Sequence, residues 1–175
     1  MAVEPTLRAF VDTRMTDFTH IRPDGGVLMV DVSDKRETSR TAIATGRVLL
    51  GEEAFSRVRD QTLAKGDVIS VAQVAGIMGS KETSRLIPLC HPVRLQRVEV
   101  DISLDHENMA LEVRAFAKST GTTGVEMEAL TGVSIACLTI YDMCKAITKD
   151  LVIDNIHLLA KTGGQSGDYR KKTDL

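Results

Sequence analysis

The sequence is poor in aromatic residues and contains no tryptophan. Aromatic side chains make up only 3% of the 175 residues, so the core must be built mainly from aliphatic side chains. Proteins that bind single-stranded nucleic acid usually stack the bases on aromatic rings. The formal net charge of -2 also gives no overall basic field that would attract a polyanion. We therefore expect no nucleic-acid partner, and any anion site must be local.

Long apolar segments and targeting segments are also missing. No apolar run approaches the roughly 18 residues that a membrane span needs. The first twenty residues, MAVEPTLRAFVDTRMTDFTH, contain acidic side chains and lack the apolar stretch of a signal peptide. These features predict a cytoplasmic protein with no membrane partner. We interpret residues 1–18 as an N-terminal extension and residues 19–175 as one domain, a length that suits a single core.

Cysteine is scarce, and its spacing does not suit cross-linking. The three cysteines, Cys90, Cys137 and Cys144, include no C-x-x-C pair. A disulfide framework or a zinc site is therefore not expected. We interpret these cysteines as small buried hydrophobic residues and expect no metal site.

Segments of strand and helix periodicity follow one another along the chain. The strands are predicted at 27–32, 41–50, 93–104, 109–118 and 151–161, and the helices at 52–63, 67–86 and 125–150. A slip in the alternation at Arg97 indicates a β-bulge. Without the first short strand, the order predicts an α+β, ferredoxin-like fold, a mostly antiparallel sheet with helices packed on one face. Apolar residues on the other face predict a homo-oligomer.

The segment GTTGVEMEAL (121–130) places two carboxylates at the start of the last helix. Thr123 and Glu126 match the T-x-x-E capping box. If the backbone there is extended instead, Glu126 and Glu128 share one face. Two such carboxylates can form an acid/base pair or hold a polar heterocycle. Both interpretations stay open at this stage.

The segment TIYDMCKAITKD (139–150) places Asp142 and Lys145 at i,i+3 on the same helix. An exposed ion pair is one interpretation, with a small effect on stability. The preceding apolar run, ACLTIY, predicts instead that this part of the helix is buried. A buried Asp or Lys needs a partner and shifts its pKa readily, as a proton-transfer residue requires. A structural ion pair and a proton-transfer pair are equal alternatives at this stage.

Two further segments carry lysines beside turn residues. In LLAKTGGQSG (158–167), Lys161 precedes a loop of small residues whose N–H groups can form an anion nest. A flexible tail is the alternative, and the Walker A pattern is absent. Lys65, in AKGD, is another local cation next to a turn.

The segment RLIPLCHPVRL (85–95) holds His91 between Pro88 and Pro92. Both prolines fix φ and lack a backbone donor, which predicts a stiff, extended segment. Stiffness suits a ligand-contacting residue, because preorganisation reduces the entropy lost on binding. A structural histidine is the alternative.

Four of these blocks, LIPLCHP, GTTGVEMEAL, LTIYDMCKA and LLAKTGGQSGD, resemble the cyclic pyranopterin monophosphate synthases of molybdenum cofactor biosynthesis. The blocks follow in the family's order after KGD, and the resemblance covers about residues 19–170. It implies a lyase that converts (8S)-3',8-cyclo-7,8-dihydroguanosine 5'-triphosphate to cyclic pyranopterin monophosphate and diphosphate. It also implies a homohexamer, a trimer of dimers, with sites shared between subunits. No cofactor is implied, apart from Mg²⁺ that can accompany a triphosphate.

The resemblance also implies roles for individual residues. The positions that match catalytic residues are Asp142, Lys145, Lys161 and Glu126. The positions that match substrate-contacting residues are Leu89, Cys90, His91, Met127, Glu128 and Lys65. Gln165 departs from the family, which often has Lys there, and this puts a direct phosphate contact at that position in doubt.

Two interpretations from other classes stay open. One is a non-catalytic, ferredoxin-like domain that senses a nucleotide or a pterin. The other is a purely structural oligomer, in which the capping box and the ion pair have no further role. Turnover of the cyclised nucleotide would distinguish a synthase from both of these alternatives.

Overall fold

The computed structural model describes residues 25–172. Its elements are β1 (Thr38–Leu49), α1 (Gly51–Arg59), α2 (Val68–Lys81), α3 (Thr83–Leu86), β2 (Leu95–Asp105), β3 (Ala110–Gly121), α4 (Glu126–Cys144), β4 (Val152–Thr162) and β5 (Tyr169–Arg170). The strands form one antiparallel sheet in the order β2-β3-β1-β4-β5. The α+β class is confirmed, and the strand order is compatible with the ferredoxin-like arrangement.

The core lies between the sheet and the helices, and it is aliphatic as predicted. Alternate residues of β1, including Ala42, Ala44 and Val48, are fully buried. Small residues let α4 approach closely, because a Cβ on Gly46 would lie 2.7 Å from Cγ1 of Val133. One aromatic ring, Phe55, belongs to the core formed by residues 25–172.

Two cysteines contribute to this core on α4. Cys137 and Cys144 are both fully buried, which confirms their interpretation as small hydrophobic residues. Burial raises the pKa of Cys137 to about 12 and that of Cys144 to about 11. Both side chains are therefore neutral thiols at physiological pH.

Helices α2 and α4 pack side by side through small residues. A Cβ on Gly76 would lie 2.8 Å from the carbonyl oxygen of Gly132, so the two backbones are in contact there. The Ser80 hydroxyl donates to the carbonyl oxygen of Glu128 at 2.9 Å. The start of α4 is thereby fixed against the end of α2.

The sheet face opposite the helices carries polar contacts beside its apolar residues. Arg47 makes two hydrogen bonds of 3.0 Å to Asp154, and the Arg97 guanidinium lies 5.6 Å from the centre of the Phe116 ring. Exposed apolar side chains of the helix layer are Val71, Val74 and Met78 of α2 and Leu138 of α4, and β4 carries Val152 and Ile156. Homo-oligomerisation stays a prediction, but the helix layer is the better candidate for the covered surface.

Several predicted boundaries need correction. The segment 27–32 forms only an isolated bridge at Val27. The Asp31 carboxylate accepts hydrogen bonds from the backbone and hydroxyl of Ser33, and this local turn replaces a strand. Strand β3 continues to Gly121, where a loop was expected from residue 119. The bulge at Arg97 is confirmed, because the pairing of β2 with β3 shifts between Leu95 and Arg97. The predicted extension, residues 1–18, lies outside the described residues.

Helix α4 is long and apolar enough to cross a membrane by length and composition. However, 56% of its most apolar window is buried inside the fold. The core helix of a soluble protein passes the same test. The helix therefore provides no evidence for a membrane protein.

Candidate active site

The last turn of α4 holds Asp142 between two lysines. Nζ of Lys145 lies 2.6 Å from Oδ1, and Nζ of Lys65 lies 3.1 Å from Oδ2. Lys65 also donates to the carbonyl oxygen of Asp142 at 2.8 Å. Hydrogen bonds from Lys145 and then Lys65 hold the pKa of Asp142 below its usual value. At neutral pH the group is therefore a carboxylate with one ammonium on each oxygen.

The local sequence explains how Lys65 reaches α4. Gly66 adopts a positive φ of 89°, which an L side chain rarely adopts. The next residue, Asp67, caps α2 by accepting from the backbone N–H of Ser70 at 3.1 Å. The AKGD turn and the capped helix thus direct Lys65 toward Asp142.

Asp142 is not buried, and the sequence-based expectation that this part of the helix is buried was wrong for the charged residues. The side chains of Asp142 and Lys145 are 58% and 52% exposed. The neighbouring residues Ile140, Met143 and Cys144 face the core. Asp142 lies on the other side of the helix, because each residue turns the chain by about 100°. These exposed pairs contribute little to stability and leave the charges accessible to a ligand.

A second cluster lies at the first turn of α4. Nζ of Lys161, on β4, lies 3.0 Å from Oε1 of Glu126 and 2.6 Å from the Ser166 hydroxyl. The Lys161 and Glu126 side chains are only 20% and 27% exposed. They line an open cavity of about 590 Å³ together with His157, Leu158, Ser166, Asp168, Tyr169 and Lys171. The cluster therefore joins a half-buried ion pair to a space that a small molecule can enter.

The predicted capping box does not form. The N-cap residue of α4 is Val125, and no side chain caps the helix. The Thr123 hydroxyl donates to the carbonyl oxygen of Gly124, and the Glu126 carboxylate turns to Lys161. Because the Glu126 carboxylate pairs with Lys161, it is not available for a capping box.

Glu128 occupies a different environment from Glu126. Both residues lie on α4, but the Glu128 side chain is only 4% exposed. Burial, with a smaller contribution from the charge of Glu126, raises the pKa of Glu128 to about 7. The two carboxylates do not share a face, because positions i and i+2 diverge on a helix. Glu128 can exchange a proton near neutral pH.

The segment with the two prolines connects α3 to β2 without regular structure. Leu89, Cys90 and His91 are all partly buried. Burial and then the charge of Glu128 raise the pKa of the Cys90 thiol, which places this segment near the start of α4. His91 lines a cleft of about 260 Å³ with residues 119–123, just before that helix. Met127 is 37% exposed in the same region.

Within one chain the predicted site residues form two groups. Lys65, Asp142 and Lys145 lie at the end of α4, whereas Glu126, Lys161 and the His91 segment lie at its start. Glu126 and Asp142 are sixteen positions apart, which corresponds to roughly 24 Å along a helix. One small ligand cannot contact both groups in a single chain.

Other residues that the sequence motifs did not predict lie beside the second group. Asp168 accepts a hydrogen bond from the backbone N–H of Gly163 at 3.0 Å, and His157 and Tyr169 line the cavity. Arg40 is buried beneath the same loop. Asp168 ends the LLAKTGGQSGD segment, whereas Arg40 lies in an ordinary strand pattern that indicates no functional role. Within residues 25–172, His, Cys, Asp and Glu form no group of three or more that could hold a metal.

Comparison with known proteins identifies the family of this chain. The profile of the MoaC family matches residues 29–164. A cyclic pyranopterin monophosphate synthase of Salinibacter ruber is 59% identical over 156 residues, which cover 89% of this chain and 92% of the relative. Proteins with the same name from Heliobacterium modesticaldum and a Thermoanaerobacter species are 55% and 51% identical. These matches cover 89% of this chain and 98% and 99% of the relatives. The family profile covers most of the chain and includes both charged clusters. The chain therefore belongs to the MoaC family.

Proposed function

We propose that this chain is a cyclic pyranopterin monophosphate synthase, a lyase of molybdenum cofactor biosynthesis. Its substrate is the cyclised dihydro-GTP, and its products are cyclic pyranopterin monophosphate and diphosphate. The reaction opens the purine ring, rebuilds it as a pterin and closes a cyclic phosphate. The observation that carries this proposal is the Asp142 carboxylate held between Lys65 and Lys145.

The chemistry of the two groups suits this reaction. Ring opening and reclosure require repeated proton transfers, and Glu128, with a pKa of about 7, can both donate and accept protons near neutral pH. The lysines neutralise phosphate charge locally, although the chain as a whole is slightly acidic. Asp142 stays ionised and holds its two lysines in place. Within this proposal, His91, Leu89, Cys90 and Met127 contact the substrate.

The active site in this proposal combines two chains. A site that uses both Asp142 and Lys161 needs the end of α4 from one chain and its start from another, because about 24 Å separates these ends. The exposed apolar residues of α2 and α4 supply a surface for assembly. A homohexamer built from dimers with shared sites is consistent with this arrangement. Free cysteines suit the reducing cytoplasm, which is the location we propose.

Turnover of the cyclised dihydro-GTP tests the proposal. We would measure diphosphate release and pterin fluorescence after oxidation, for the parent and for Asp142→Asn. The substitution should lower kcat by about 10²- to 10⁴-fold, the range for a positioned acid or base group. The melting temperature should stay nearly unchanged, because the lost ion pairs are exposed. Asp60→Asn, which breaks an exposed pair with Arg59 away from the site, is the matched control.

The outcomes separate the alternatives. Turnover by the parent and by Asp60→Asn, but not by Asp142→Asn, supports the synthase. Tight binding of the nucleotide by the parent without either product would instead favour a ligand-sensing domain. A parent that neither binds nor converts the nucleotide would favour a structural oligomer.

A further inference from the structure

Arg40 is a buried cation that has no carboxylate partner in the part of the chain that the structure describes. It lies on β1 with its side chain toward the helices, and the residue is only 9% exposed. Its Nη2 donates to the carbonyl oxygen of Thr122 at 3.1 Å, but its Nε is buried without any hydrogen-bond partner. No acidic side chain among residues 25–172 forms an ion pair with it. The described residues therefore do not compensate the guanidinium charge.

Such an arrangement is costly for stability. Taking a charge out of water is unfavourable unless hydrogen bonds and an opposite charge replace the lost hydration. An apolar side chain of similar volume at this position would avoid that cost. A residue that breaks this local rule is expected to serve a functional site.

The position of the guanidinium indicates what that function is. It lies directly beneath Gly163 and Gly164, which adopt positive φ angles of 83° and 85°. A Cβ on Gly164 would collide with Nη1 of Arg40, and one on Gly163 would collide with the carbonyl oxygen of Ser39. Both positions therefore require glycine for two reasons, the backbone conformation and the contact below it.

Arg40 thus contacts two backbone segments that lead to the same ion pair. Gly163 follows Lys161 by two residues, and Thr122 precedes Glu126 by four. Lys161 and Glu126 form the half-buried pair that lines the cavity. Fixing both segments on one guanidinium fixes the position of both partners.

We propose that Arg40 is a positioning residue for the substrate's phosphate groups. Its guanidinium holds the Gly163–Gly164 turn and the entry to α4, so that Lys161 and Glu126 meet at the cavity. Its uncompensated positive charge favours an anion on the loop above it. This inference rests on the proposed synthase function, because that function supplies the phosphate-bearing substrate.

The first test replaces Arg40 by methionine, which retains much of the side-chain volume and removes the charge. Arg40→Met should lower kcat/KM, and the affinity for inorganic diphosphate measured by calorimetry, by at least about tenfold. The melting temperature should stay within about 4 °C of the parent, because removing an uncompensated buried charge offsets the lost hydrogen bond. The control is Arg47→Met on the same strand, where Arg47 is paired with Asp154. It should lower the melting temperature and leave kcat/KM nearly unchanged.

The second test keeps the charge and disturbs only the contact. Gly164→Ala and Gly51→Ala place the same methyl group at similar positive φ angles, 85° and 73°. A Cβ on Gly51 meets nothing within 4 Å, whereas one on Gly164 meets the guanidinium. Gly164→Ala should therefore lower kcat/KM at least about tenfold, and Gly51→Ala should not. Combining Gly164→Ala with Arg40→Met should cost little more than either change alone, because both act through one contact.

Several results would overturn the inference. The inference is wrong if the parent turns over the substrate and Arg40→Met keeps kcat/KM and diphosphate affinity within twofold of the parent. It is also wrong if Gly164→Ala and Gly51→Ala have equal effects on kcat/KM. This second comparison tests the role of Arg40 even if Arg40→Met does not fold. A parent without turnover would instead refute the proposed function, and the role of Arg40 with it.

Discussion

At the scale of single residues, the same pairing of carboxylate with lysine occurs in two environments. Asp142 and its lysines are exposed, whereas Glu126 and Lys161 are mostly shielded from water. Solvent weakens the first set of ion pairs, so these charges stay available to a ligand. The second pair is partly desolvated and has a more fixed geometry, which suits the recognition of one substrate orientation.

His91 gives the first prediction at this scale. His91→Ala should lower kcat/KM at least about tenfold, as expected for the loss of one directional contact with the substrate. The melting temperature should stay nearly unchanged, because the two prolines hold the segment without the imidazole. Steady-state kinetics and thermal unfolding measure both effects.

A second histidine provides the control. His106 packs edge-on against the core residue Phe55, with the ring centres 5.3 Å apart. His106→Ala should therefore lower the melting temperature and spare kcat/KM. A His91→Ala protein that loses stability rather than activity would favour the structural interpretation of His91.

Glu128 predicts a pH dependence of stability. Its pKa of about 7 in the folded chain lies above the ordinary value of 4.5. Between these values the folded state binds more protons than the unfolded state, so the free energy of unfolding falls as the pH rises. Glu128→Gln removes this contribution. Its stability relative to the parent should increase by on the order of 3 kcal/mol between pH 4 and pH 8.

Urea unfolding at several pH values measures this difference. Glu52→Gln on α1, where the carboxylate is exposed, is the control and should follow the parent. Parallel profiles for Glu128→Gln and the parent would show that Glu128 titrates normally in the folded chain.

At the scale of elements, periodicity predicted the long segments well and the short ones poorly. Strand β1, the β2–β3 hairpin, the bulge at Arg97 and helix α4 all follow from hydrophobic pattern. The strand predicted at 27–32 was wrong because a local Asp31–Ser33 turn competes with strand pairing. The extension of β3 to Gly121 was missed because its pairing partners, Thr38–Arg40 of β1, are distant in sequence.

Close packing of α2 on α4 gives a prediction at this scale. Gly76→Ala should destabilise the protein by about 1–3 kcal/mol, because the new Cβ meets a backbone oxygen that cannot rotate away. Lys81→Ala, at an exposed position of the same helix, is the control. Because alanine is a better helix former than glycine, a loss of stability at position 76 comes from the contact.

Chemical unfolding of the two variants provides the comparison. We expect Lys81→Ala to be clearly more stable than Gly76→Ala. Equal stabilities would mean that the helices separate easily at Gly76.

At the scale of the whole molecule, the sequence predicted the family and the candidate residues but not their arrangement. Spacing of i,i+3 predicted that Asp142 and Lys145 meet, and they do. The spacing did not predict which side of α4 faces solvent. The apolar run before Asp142 led us to expect that Asp142 is buried as well. The Lys65–Asp142 contact joins residues 77 apart, which local periodicity cannot show.

The same limit applies to Arg40 and to the assembly. An arginine in an alternating strand has no local pattern that indicates an uncompensated buried charge. The separation of the two groups along α4 becomes clear only when the helix and β4 are placed together. From that separation we infer a site completed by a second chain.

Subunit mixing is the measurement that tests this central claim most directly. We would co-express Asp142→Asn and Lys161→Met chains with different affinity tags, purify the mixed oligomer and measure turnover of the cyclised dihydro-GTP. Each variant alone should be inactive. In a dimer of one chain of each kind, one of the two shared sites receives an intact Asp142 and an intact Lys161. If dimers form at random within the oligomer, half of them are mixed, and about one quarter of the parental activity should return. A mixed oligomer as inactive as the two variants alone would contradict a site built from the two ends of α4 in different chains.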